Sequence, residues 1–345
     1  MNLDQNHDLV LHTEQALLAA LHACPAHLSE VSKLLCPDDF AQATHQEHYR
    51  HLTAQTQAGK KPQESTVIPT AGHSNPDNAP AYARLVLAAS LRRNLARRAA
   101  HLATTARVEA AGNLGATNTL AATHDLAEAL RHAAQRWGTT GPRPNHLPAP
   151  SVPAASPPTQ QEDEARFLAS LASHPQHIPD ITRRLHPDVL TNLRHQLLYR
   201  SLAALHHRGQ PIDPLTLAWE AHHQGAPAHH LTIDHVTNLT TPTTDDPYQR
   251  ADRLLQAAFQ RAASNAAHVI KALTTDLSLA PGELFAASEL ALQPVNHHQR
   301  WRAPNRRDQH TRPGPGISAR QEKGLSHRPP SARSCPDGDV LMSRT

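Results

Sequence analysis

The sequence predicts an all-α protein: two tandem helical-bundle domains joined by a proline-rich linker and followed by a disordered basic tail. Three observations predict this class. Residues 14–59 and 164–209 are one segment written twice at a constant offset of 150, with 16 identities in 46 positions and no gap. The apolar residues recur at helical spacing. Between the copies, residues 138–163 are dense in Pro, Ser and Thr without any apolar period, as an extended linker is. The Pro, Asp, Tyr and Gly identities weigh most, because those residues are sparse and each constrains the backbone locally.

The elements follow in order. Glu14 to Ala23 carries Leu17, Leu18 and Leu21 on one face with Thr13 as N-cap, and its counterpart from Glu164 carries Phe167, Leu168 and Leu171. A second helix over 29–35 stops at Pro37, and one over 180–185 stops at Pro187, because proline cannot donate to the preceding turn. The third helices, 45–58 and 193–208, are closed by Gly59 and Gly209, which suit the left-handed position past a helix end. Tyr49 with Leu52, and Leu198 with Leu202 and Leu205, form their inward stripes.

After Gly209 the run Gln210-Pro211-Ile212-Asp213 is a short extended turn before a helix through Leu217 and Trp219. The first unit is shorter here, with 23 residues from Gly59 to Tyr82 against 39 from Gly209 to Tyr248, so one or two helices are expected to be missing from it. Long helices over 79–110 and 246–273, apolar on one side and Arg-rich on the other, precede closing helices over 126–137 and 282–292. The expected domains are 1–137, a linker over 138–163, a second domain over 164–293, and a disordered tail over 294–345.

Composition bounds the function. The pI of 8.9 belongs to the tail: residues 296–345 hold 10 Lys or Arg against 4 Asp or Glu, which leaves residues 1–295 at −3. Aromatic residues are 3% of the chain, too few to interleave with basic residues as base-stacking platforms do. The three cysteines, Cys24, Cys36 and Cys335, have no paired spacing, and neither a signal peptide nor an apolar run of membrane-spanning length is present, so a cytoplasmic location is expected.

The run beginning Glu14-Gln15-Ala16-Leu17, the Pro37-Asp38-Asp39-Phe40 turn, His45, Tyr49, Gly59 and the late Tyr82-Ala83-Arg84-Leu85-Val86 resemble the N-terminal domain of replicative DnaB-type DNA helicases. The second copy resembles it best from His195 to Gly225, with Pro187, Asp188, Tyr199, Gly209, Pro211, Asp213 and Tyr248 in the matching order. The resemblance covers about 110 to 125 residues in each half. It implies an all-helical module, a globular bundle followed by a helical hairpin that packs on another copy. In the helicase, such domains pair into a collar and contact primase. By that resemblance the partners are a replicative helicase or a primase, with self-association or an internal pseudo-dimer of the two copies.

No residue constellation supports an enzyme. A helicase motor needs G-x-x-x-x-G-K-[ST] for phosphate and Mg²⁺, whereas Ala58-Gly59-Lys60-Lys61-Pro62 lacks the upstream Gly and the hydroxyl. No cofactor is implied. Of the 28 histidines, the densest sets, His45 with His48, His222 with His223 and His229 with His230, fit no metal signature, and His45 and His195 are expected to start helices or form hydrogen bonds. Asp38-Asp39 and Asp245-Asp246 precede helices, where acids cap. The leading expectation is a non-catalytic interaction module in DNA replication. The alternatives are a DNA-binding accessory protein using Arg92, Arg93, Arg97 and Arg98 with Arg306 and Arg307 of the tail, and a remnant of a helicase gene.

Overall fold

In the computed structural model, residues 3–58, 75–112, 115–138, 158–225 and 231–302 are described, and among them are twelve α-helices and no strand. The first head comprises α1 (Leu3–Ala23), α2 (Leu28–Leu34) and α3 (Ala43–Gln57). It leads into a hairpin of α4 (Ala79–Ala111) and α5 (Thr117–Trp137). The second head comprises α6 (Pro158–Ser173), α7 (Ile178–Arg184), α8 (Leu193–His207), α9 (Pro214–His223) and α10 (Ile233–Leu239). Its hairpin is α11 (Pro247–Thr275) and α12 (Pro281–Arg302).

Local chemistry accounts for most boundaries. The α8 end carries Gly209 at φ 63°, with Gln210 N–H donating to the Leu205 carbonyl at 3.0 Å, the closure that a left-handed residue permits. At α9, Asp213 accepts from Leu215 N (2.9 Å) and Thr216 N (3.1 Å), and the Thr216 hydroxyl accepts from Asp213 N at 3.1 Å and donates to the Pro211 carbonyl at 2.9 Å. That reciprocal capping box is what the Pro-Ile-Asp-Pro-Leu-Thr run encodes. Asp246 caps α11 through Tyr248 N at 2.9 Å.

Four boundaries differ from the sequence expectation. Helix α1 begins at Leu3, so Thr13 is a mid-helix residue whose hydroxyl donates back to the Leu9 carbonyl at 2.8 Å; with no Pro or Gly before Pro25, nothing stops propagation toward the N-terminus. Helix α6 starts at Pro158, inside the expected linker, because proline is tolerated in a first turn and Gln160 ties that turn to Thr191 at 3.3 Å. Helix α5 starts at Thr117, well before Leu126. Helix α12 continues through Pro294 to Arg302 into the expected tail, and burial of Leu292 and Val295 offsets the roughly 3 kcal/mol that an interior proline costs. The rest of the expected linker (139–157) and tail (303–345), and Gly59, lie outside the described residues. Among the described residues, α9 and α10 have no counterpart in the first head.

There are two apolar cores among the described residues, one in the second head and one that the first head shares with both hairpins. Phe167, Leu171, Ile181, Tyr199, Leu205, Leu217 and Val236 close the second head over Leu254 and Leu255 at the start of α11. A larger core begins in the first head at Leu17, Leu21 and Tyr49 and runs through Leu91 and Leu102 of α4 and Leu126 of α5. It then crosses to Phe259 and Ile270 of α11 and to Phe285 and Val295 of α12. Helix α4 packs most extensively on α11, and α12 also meets α5, so the hairpins form a four-helix bundle. Small residues such as Ala99, Ala106, Ala263 and Ala267 at the contact let the helix axes approach closely.

Candidate functional site

The repeated residues build the same polar network twice. Glu14, fully buried on α1, accepts from Ala41 N at 2.6 Å and from His45 Nδ1 at 2.8 Å, while 150 residues later Glu164 accepts from Thr191 N at 2.7 Å and from His195 Nδ1 at 2.8 Å. Tyr49 donates to the Leu35 carbonyl at 3.4 Å, and Tyr199 to that of Leu185 at 2.7 Å. Arg93 and Arg261 close the pattern, donating to the carbonyls of the equivalent residues Asp39 (2.5 Å) and Val189 (2.8 Å). Each network pins the segment before the third helix to the first helix and to the hairpin. Its carboxylate acceptors, Glu14 and Glu164, are fully buried.

The electrostatics agree with a structural role. Burial raises a carboxyl's pKa, but at Glu164 the donors His195 and Thr191 outweigh it and hold the acid below the ordinary carboxylate range. Burial pushes the Tyr49 hydroxyl up to about 12 and the Arg261 guanidinium down to about 10. Phe40, Leu18, Leu21, Leu168 and Leu171 are core residues of the two heads, and Pro37 and Pro187 open 3-10 turns with Asp38 and Asp188 in them. Tyr82 packs partly buried against the shared core, whereas Tyr248 reaches His177 and Asp180, each at 3.4 Å.

One feature of the first head has no repeat counterpart. Asp39 is 2% exposed and receives a two-point contact from Arg136 of α5, Nη1 to Oδ1 at 3.0 Å and Nη2 to Oδ2 at 2.6 Å. Ser90 of α4 also donates to it at 2.7 Å, and Cys36 N at 2.8 Å, so one carboxylate joins the first head to both helices of its hairpin. Desolvation opposes the charge, but these donors hold Asp39 below the usual carboxylate range, and Asp39 raises the Arg136 pKa. The position corresponds to Val189 in the second head.

At the tip of the first hairpin, Glu109 of α4 caps α5 in place of an N-cap residue, accepting from Asn118 N (2.9 Å), Thr119 N (3.0 Å) and the Thr119 hydroxyl (2.6 Å). Burial raises its pKa, but these donors hold Glu109 low as well. Glu109→Gln is therefore expected to cost about 1 kcal/mol. Asp39, Glu109 and Glu164 all have lowered native pKa values, so the stability they contribute is complete above the unfolded value of about 4 and is lost as pH falls through the lowered values. The melting temperature should drop steeply with acid below about pH 4, and less steeply in Glu109→Gln.

The arginines expected to face nucleic acid are mostly engaged within the fold. Arg92 donates to the Asp276 carbonyl at 2.8 Å and to that of Leu279, Arg93 is part of the first network, and Arg98 pairs with Asp125 and donates from Nε to Asn94 Oδ1 at 2.9 Å. Burial lowers the pKa of Arg92 and Arg93, the signature of cations inside packing. Arg97 is exposed on α4, and Arg306 and Arg307 lie outside the described residues. Helical spacing puts these four side chains along one helix, and the segment between α11 and α12 takes Arg92, so Arg97 alone of the four is left exposed.

The histidine sets also resolve differently. His45 pairs with Glu14, whereas His48 pairs with His22 of α1, their Nε2 atoms 2.6 Å apart. His229 and His230 lie outside the described residues. Among the described residues no group of three or more His, Cys, Asp or Glu is placed to hold a metal ion, and no helix is long and apolar enough to cross a membrane.

Two helical heads, each leading into a long hairpin, with the hairpins packed together and one buried polar network repeated in each head, define a tandem helical module. The comparison with protein families puts a name to that class. The chain belongs to the DnaB-like helicase N-terminal domain family, which it matches twice, over residues 5–102 and 156–249. Both matches fall on the family's non-catalytic domain. No curated protein and no solved structure gives a significant match.

Proposed function

We propose that this protein is a non-catalytic, replication-associated interaction module in which two helicase-collar-like domains form an internal pseudo-dimer. The observation that carries the reading is the apolar core shared by α4, α5, α11 and α12, which occupies within one chain the hairpin faces through which single domains of this kind would otherwise pair. What is left for a partner is the outer surface of the heads, where a replicative helicase or a primase would bind. The domain division into first and second copies, and a cytoplasmic location, belong to this reading. Mixing the full chain with the replicative helicase and, separately, with the primase of the same cell, and measuring mass by light scattering after gel filtration, tests it. A stable complex with either supports the module; a folded chain that binds neither sinks the partner assignment and favours the gene-remnant alternative.

DNA binding is the weaker alternative, since Arg92, Arg93 and Arg98 spend their donors on the protein. Duplex DNA anisotropy titrations at low salt are expected to be flat or nonspecific, and Arg97→Ala to leave them unchanged. A steep salt dependence lost in that variant would restore the DNA-binding reading.

A further inference from the structure

Helices α1 and α3 of the first head are joined by His22 and His48, with 2.6 Å between Nε2 atoms and both rings partly buried. The second head repeats the same two helices with Ala172 and Leu198 at the equivalent positions, and Leu198 is 1% exposed. That copy shows what the packing alone requires here: a small residue against a leucine. The first head replaces this apolar contact with two imidazoles whose Nε2 atoms face one another across a hydrogen bond. We propose that His22 and His48 are a two-histidine clasp for a divalent transition cation, zinc or copper, bound through the two Nε2 atoms and completed by water.

Geometry and chemistry support the assignment. Zinc–imidazole bonds of about 2.0–2.1 Å at a tetrahedral angle place two nitrogens roughly 3.3 Å apart. To admit the ion the two nitrogens separate by about 0.7 Å and the rings turn so that both lone pairs meet it. Imidazole suits zinc and copper among the divalent first-row metals, with copper held most strongly. The exposed His51 lies one turn further along α3, and Cys24 follows the end of α1. Neither is part of the clasp. A bound ion would lock α1 to α3 in the first head alone, making a difference between two otherwise matching heads.

The test uses the full chain and the double substitution His22→Ala with His48→Leu, which installs the second head's own pair and is therefore expected to fold. Calorimetric titration with zinc chloride in a non-chelating buffer is expected to give one site more in the wild type than in the double variant. Zinc should raise the melting temperature of the wild type more than that of the variant. With copper, electron paramagnetic resonance is expected to show coupling to two imidazole nitrogens, and one fewer in His48→Gln alone. Equal stoichiometry, or equal copper spectra in wild type and variants, overturns the clasp and assigns the metal uptake to other histidines. Should circular dichroism find the double variant unfolded, His22→Ala alone decides: an unchanged zinc titration there overturns the proposal just as well.

Discussion

Arg136→Met is expected to destabilise the protein by about 3–5 kcal/mol, because it leaves a carboxylate in the core without its counter-charge. Asp39 is 2% exposed and its two oxygens accept from both Arg136 nitrogens, with the Ser90 hydroxyl, Cys36 N and the Cys36 thiol as the remaining donors. Removing the guanidinium leaves those donors in place but not the positive charge, so the acid must either stay ionised in a poor environment or take up a proton. The double substitution Asp39→Val with Arg136→Met is expected to recover most of the loss. It removes the charge as well as its partner, and valine is what the second head carries at this position, Val189. Urea unfolding of the three variants checks this through their midpoints at constant slope. A double variant as unstable as the single one would mean that the pair holds the turn by geometry rather than by charge balance.

Ala263→Arg is expected to separate the two hairpins. Ala263 is fully buried among apolar residues of the shared core, so a guanidinium there is desolvated and displaces the packing, at a cost of about 3–5 kcal/mol. The second head keeps its own core of Phe167, Leu171, Tyr199 and Leu217, which does not include Ala263. Scanning calorimetry should therefore show the bundle melting early while the second head melts close to its wild-type temperature. A single transition at the wild-type temperature would show that the bundle contributes little to stability. The same variant bears on function: if the internal pseudo-dimer presents the partner surface, loss of helicase or primase binding should accompany the early transition.

Much of the architecture was legible in the chain because repetition acts as an internal alignment. The identities at Glu14, His45, Gln46 and Tyr49 are the residues that form the twinned hydrogen-bond networks, and each reaches a main-chain group or a side chain within its own head. Gly209 and the Pro211–Thr216 run declared a helix end and a helix start, since those depend on neighbours a few residues away. Helix starts without a proline, glycine or capping signal were placed late: α1 and α5 both begin well before their first strong apolar stripe.

What the sequence by itself determined was the helical class, the duplication and the order of elements, because their physics is local or is written twice. What only the tertiary structure decided was everything between distant segments. Asp39 meets Arg136 from 97 residues away, Arg92 meets Asp276 from 184 residues away, and Glu109 caps a helix that its own neighbours do not cap. His48 turns from His45 to His22, since a helix face is fixed by period but its partner is fixed by packing. The shared hairpin core belongs to the same class. An amphipathic stripe announces that it will be buried; only the assembled chain decides that the covering surface is its own second copy.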